Sequence, residues 1–131
     1  MLRKIHLTVG LIGVLGFLLT GAYLRWHTPA MDELDPLTRM LLRSRHVYLL
    51  LASLLNLAVG SYFVVAQTAR RRVVQGLGSA LLVATPFLIA AAFFLDADRG
   101  NIRGRLAMVG IGFMLAGTML ELASTLRTGS K

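Results

Sequence analysis

The sequence predicts an all-α integral membrane protein, an antiparallel four-helix bundle with four transmembrane helices and a short interfacial helix before the second. Three observations predict it. Apolar residues make up 56% of the 131 residues. The charges fall in clusters: Arg3 and Lys4, Arg25 to His46, Arg70 to Arg72, Asp96 to Arg105, and Arg127 to Lys131. Between the clusters lie four nearly uncharged stretches of roughly 20 residues, each long enough to span about 30 Å of hydrocarbon at ~1.5 Å per residue. A chain of this length has room for a single domain.

The first stretch, residues 5–24, follows a basic start and resembles a signal sequence, with Thr20-Gly21-Ala22 as a cleavage-like triplet. Arg25 directly afterwards is unfavourable for export, and the helical pattern runs on unbroken to His27. The reading is therefore an uncleaved span. Residues 25–45 are expected as an external loop, with Tyr23 and Trp26 in the aromatic belt of the interface. Within it, Asp35-Pro36 marks a helix start: an N-cap acceptor, then a proline where the missing N–H costs nothing. The interfacial helix from Leu37 to Arg43 either breaks near Ser44 or runs straight into the second span, residues 47–66. A tight connection at 67–72 leads to the third span, 73–95. A second one at 96–105, broken by Gly100 and Gly104, leads to the fourth, 106–126. Short connections make neighbouring helices antiparallel.

Of the 14 Lys and Arg residues, half lie on each side of such a bundle. Arg3, Lys4, Arg70 to Arg72, Arg127 and Lys131 have no acidic neighbours, whereas the other side mixes its basic residues with Asp32, Glu33, Asp35, Asp96 and Asp98. The dense triple arginine and the first helix place both termini in the cytoplasm. Short loops and the lack of a targeting segment point to a bacterial inner membrane. The net charge of +8 belongs to headgroup contacts at span ends; no interleaving of basic and aromatic residues suits nucleic acid. The absence of cysteine excludes disulfides and thiolate metal sites.

In lipid, helices associate through small residues and occasional polar side chains, so the inward face of each span should carry these at steps of three and four. The first span reads His6, Gly10, Gly13, Phe17, Thr20, Leu24, His27. The second reads His46, Leu49, Ser53, Asn56, Gly60, Phe63, Gln67; the third Gly76, Ser79, Val83, Pro86, Ala90. The fourth reads Arg103, Ala107, Gly110, Met114, Gly117, Glu121, Ser124. Gly10, Gly13, Gly60, Gly110 and Gly117 are the expected close-packing positions. Gly16, Gly21, Gly78 and Gly112 fall off the stripes and suggest a second interface, through which the chain would form a homo-oligomer or join a larger membrane complex.

Three polar features bear on chemistry. Asn56 sits at mid-span, where a side-chain amide must be bonded; Pro86 frees the carbonyl of Leu82, and Thr85 offers a hydroxyl at similar depth. Glu121 is the acid within a span and is expected to pair with His6 or Lys4. His27 and His46 stand at the external ends of adjacent helices, a pair that would suit haem b or a quinone; no metal site or catalytic constellation is otherwise readable. The leading expectation is a non-enzymatic accessory, assembly or structural subunit acting through helix contacts. A redox subunit using His27 and His46 is the alternative, and a small proton-coupled transporter centred on Glu121 and Asn56 is the second alternative.

Overall fold

The computed structural model describes residues 1–26, 32–95 and 104–125. It is all-helical, with four helices: α1 (Leu2–Trp26), α2 (Pro36–Ser61), α3 (Ala69–Leu95) and α4 (Arg105–Thr125). Three of them, α1, α3 and α4, are long and apolar enough to cross a membrane.

The second helix departs from the expected span at both ends. It starts at Pro36, as Asp35 directs: the carboxylate accepts from the backbone N–H groups of Leu37 (2.9 Å) and Thr38 (3.2 Å). No break occurs at Ser44, whose hydroxyl bonds back to the Met40 carbonyl at 2.9 Å. Of the two alternatives, the helix that runs straight on from Pro36 is the one formed, so the helix expected from Leu37 to Arg43 is the first turns of α2. Arg39, Arg43 and Arg45 therefore lie inside α2. At the other end α2 stops at Ser61, short of the expected boundary at residue 66. Two α3 side chains hold residues 64–66 out of the helix. Gln75 accepts from Ala66 N–H (3.0 Å) and donates to the Val64 carbonyl (2.8 Å), while Arg72 Nε donates to the Ala66 carbonyl (2.9 Å). These bonds replace the helical ones that the segment gives up.

Glycines set the pairing of the helices. A methyl group on Gly10 would lie 2.9 Å from the Leu57 backbone nitrogen, and one on Gly60 would lie 2.9 Å from that of Leu7. Residues early in α1 thus meet residues late in α2, backbone against backbone. Likewise a methyl on Gly117 would sit 2.9 Å from the Gly78 carbonyl oxygen, joining late α4 to early α3. The two pairs meet through α3, which touches both α1 and α2; α2 and α4 meet lightly, and among the described residues α1 and α4 do not meet. So α3 is the central helix, packed on two sides. Its buried set, including Gln75, Gly78, Ser79, Leu82, Thr85, Pro86, Ile89, Ala92 and Phe93, is far wider than one stripe. That corrects the stripe assigned to it: Gly76 has nothing within 4 Å, whereas Gly78 makes the tight contact. On α4, which packs on one side, the buried residues are Gly110, Met114, Gly117, Glu121 and Ser124, all on the expected stripe. The outward faces carry exposed Leu11, Leu15, Leu19, Phe87, Met108, Leu115 and Met119.

Candidate functional site

One residue from each helix meets in a single buried polar line. His6 of α1, Asn56 of α2 and Ser79 of α3 are 0%, 0% and 1% exposed, and Glu121 of α4 is 7% exposed. His6 Nδ1 lies 2.8 Å from Asn56 Oδ1, and His6 Nε2 lies 3.0 Å from Ser79 Oγ. The Ser79 hydroxyl donates to Glu121 Oε1 at 2.5 Å. Asn56 is fixed in turn: its Nδ2 donates to the Ala52 carbonyl (2.9 Å) and to the Leu82 carbonyl (2.8 Å). The second acceptor is the carbonyl that Pro86, inside α3, leaves without its helical N–H. The proline thereby creates an acceptor for the buried Asn56 amide.

The geometry fixes the protons. Both amide hydrogens of Asn56 point at carbonyls, so its Oδ1 faces His6 and can only accept. His6 Nδ1 must therefore carry a hydrogen. Ser79 has one hydrogen to give. When it goes to Glu121, Ser79 Oγ accepts from His6 Nε2–H, and the imidazole carries both protons opposite a carboxylate. When Glu121 is instead the protonated partner, its O–H donates to Ser79, the Ser79 hydroxyl donates to Nε2, and His6 is neutral. The two states share one arrangement of heavy atoms and differ by reversing two hydrogen bonds. A buried charge pair needs this full complement of partners, since unpaired charges in a low-dielectric interior are costly.

Glu121 therefore does not pair with His6 directly, as the sequence led one to expect; Ser79 stands between them, because α3 separates α1 from α4. Lys4 is exposed. Ser79 was visible as a stripe position, but nothing marked it as the bridge until α3 took the central place.

At the other end of α1, the His46 imidazole seats against α1. Its Nδ1 lies 2.9 Å from Thr20 Oγ1, its ring stacks on Phe17 with centroids 4.1 Å apart, and its Nε2 would lie 3.5 Å from a methyl at Gly21. His27, its proposed partner for haem or quinone, lies outside the described residues, as does Arg103. Among the described residues no group of three or more His, Asp or Glu could hold a metal ion. Arg45, which falls in the segment expected as an external loop, is 2% exposed on α2. The sequence reading also missed Gln75, whose amide shapes the end of α2.

A cavity of about 300 Å³ opens beside Glu121, between α2 and α4 and the residues that follow α2. Its walls are largely apolar, with Leu55, Val59, Phe63 and Leu122 among them, and Glu121 is the charged side chain in its lining. Comparison with known protein families, with characterised proteins and with solved structures finds no match.

Proposed function

We propose that the chain is an integral membrane protein that crosses the bilayer four times with antiparallel neighbours, and that it works as a small proton-coupled transporter. The observation that carries this reading is the Ser79 bridge: a histidine and a carboxylate on non-touching helices, both buried, joined by one hydroxyl. A hydroxyl so placed relays a proton without moving a helix. Intramembrane ionisable residues of this kind mark proton paths. Membrane residence is supported by the outward apolar faces of α1, α3 and α4 and by the length of α2, whose 26 residues reach about 39 Å at ~1.5 Å each. The register puts the α1 and α3 starts at one end, with Arg3, Lys4 and Arg70 to Arg72. By the positive-inside rule that end faces the cytoplasm, in keeping with an inner-membrane location.

The proton site is tested by infrared difference spectroscopy on protein in zwitterionic nanodiscs. Wild type should show a carboxylic-acid C=O band from the state in which Glu121 holds the shared proton, and that band should vanish in Glu121→Gln and shift in Ser79→Ala. A carboxyl region unchanged by Glu121→Gln would refute the reading. A second reading, a subunit acting through helix contacts, is favoured by Gly76 and Gly112, where nothing lies within 4 Å. A second helix has room to approach there. Native mass spectrometry from mild detergent would show a dimer or complex if that holds, and a monomer if it does not.

A further inference from the structure

We infer that the cavity between α2 and α4 is the substrate site of this transporter, that it takes a small amphipathic ammonium ion, and that each cation bound displaces one proton from the His6–Ser79–Glu121 line. The inference rests on the proton-coupled reading and adds the ligand class and the exchange ratio.

The cavity exists because α2 and α4 pack lightly while α3 holds them both. Its volume of about 300 Å³ is at the small end of ligand sites. Apolar walls select an apolar body, and the single carboxylate selects the head. A carboxylate accepts several hydrogen bonds, of which Ser79 supplies one, so an ammonium N–H has an acceptor in the wall. Tyr62 and Phe63 also line the cavity, two rings within reach of a bound cation. An anion would meet Glu121 with like charge, and a neutral alcohol would forgo the charge-assisted bond.

The exchange ratio follows from charge. When the cavity is empty, the line holds one exchangeable proton, on His6 or on Glu121, and is neutral overall. An ammonium ion beside Glu121 makes the site cationic unless that proton leaves. With it gone, His6 is neutral and keeps Nδ1–H toward Asn56, the Ser79 hydroxyl turns to donate to Nε2, and the ammonium replaces it as the donor to the Glu121 carboxylate. One proton leaves, one cation enters, and the net charge of the buried site is unchanged. The groups that face Glu121 are consistent with this balance. They are His6 of α1 across Ser79 of α3; the other polar residues of the cavity wall, Tyr62, Gln75, Thr118 and Thr125, carry no charge. Arg72 is exposed and turned to the Ala66 carbonyl.

The test is calorimetry on zwitterionic nanodiscs with 4-phenylbutylamine and its neutral counterpart 4-phenyl-1-butanol, subtracting empty nanodiscs and repeating in buffers of different ionisation enthalpy. The amine should bind wild type with about one proton released per amine. Affinity should fall at least about tenfold in Glu121→Gln, the loss expected when a charge-assisted hydrogen bond goes. Val59→Trp, which fills the cavity and leaves the line intact, should abolish binding while keeping the Glu121 carboxyl band. Equal affinity for the alcohol, amine binding that survives Val59→Trp, or binding with no proton released would overturn the inference. A Glu121 carboxyl band without amine binding would remove the ligand class and leave the proton site standing. Loss of that band in wild type would remove the proton site itself.

Discussion

Asn56 holds the centre of the site through two bonds of opposite sense. It gives a hydrogen to the Leu82 carbonyl and takes one from His6, so it both repairs the Pro86 defect and sets the imidazole tautomer. Replacing it with leucine leaves a carbonyl and an N–H unpaired in the buried core. Asn56→Leu is expected to lower stability by about 1–3 kcal/mol, the range for leaving one or two buried polar groups unpaired. Unfolding in bicelles would measure it, with Leu54→Ala on the outward face as a near-neutral comparison; equal losses in the two variants would contradict the role given to Asn56. That pairing was legible from the sequence, because proline at 86 and asparagine at 56 each raise a problem that the other solves. The Ser79 bridge was not, because serine at one stripe position looks like serine at any other.

At the scale of the helix, close packing is unevenly distributed. A methyl group on Gly117 would lie 2.8 Å from Leu82 Cγ and 2.9 Å from the Gly78 carbonyl oxygen, while one on Gly112 would meet nothing within 4 Å. Gly117→Ala should therefore cost about 1–3 kcal/mol by forcing α3 and α4 apart, and Gly112→Ala should be neutral or slightly stabilising through helix propensity. Thermal unfolding of the two variants in one detergent separates them. The start of α2 makes a second expectation. Hydrogen bonding to the Thr38 side chain, then its backbone N–H, with the Leu37 N–H and Arg39 adding to it, holds the Asp35 carboxyl below its ordinary value. A carboxylate held down in this way stabilises the folded helix start above the unfolded-state value, and that support is lost as pH falls through the depressed one. Hydrogen-exchange protection at residues 37–40, corrected for intrinsic rates, should drop over that acidic window in wild type and stay flat in Asp35→Asn. A flat wild-type profile would contradict the capping role.

Across the whole molecule, what the sequence revealed depended on how many neighbours a helix has. On α4 a single stripe marked the buried face, since α4 leans mainly on α3 and meets α2 only lightly. On α3 the same logic misassigned Gly76 and Gly78, because a helix packed on two sides buries most of its circumference and no one stripe describes it. The end of α2 was hidden for a similar reason: apolar residues 62–66 read as span, and only Gln75 and Arg72, brought over from α3, draw them out of the helix. The hydrogen-bonded line of His6, Ser79 and Glu121 has the same origin. It needs α1 and α4 apart and α3 between them, an arrangement that no spacing within one helix encodes.

The proton logic is most directly tested at His6 itself, by solid-state nitrogen NMR of histidine-labelled protein in bilayers, with His6→Asn to assign the signals. Nδ1 is expected to carry a hydrogen in both states, because Asn56 Oδ1 can only accept. Nε2 is expected to carry one when Glu121 is a carboxylate and to lack one when Glu121 is protonated, so the Nε2–H signal and the carboxyl C=O band vary inversely. An Nδ1 without a hydrogen, or an Nε2–H present together with a protonated Glu121, would contradict the proposed proton line.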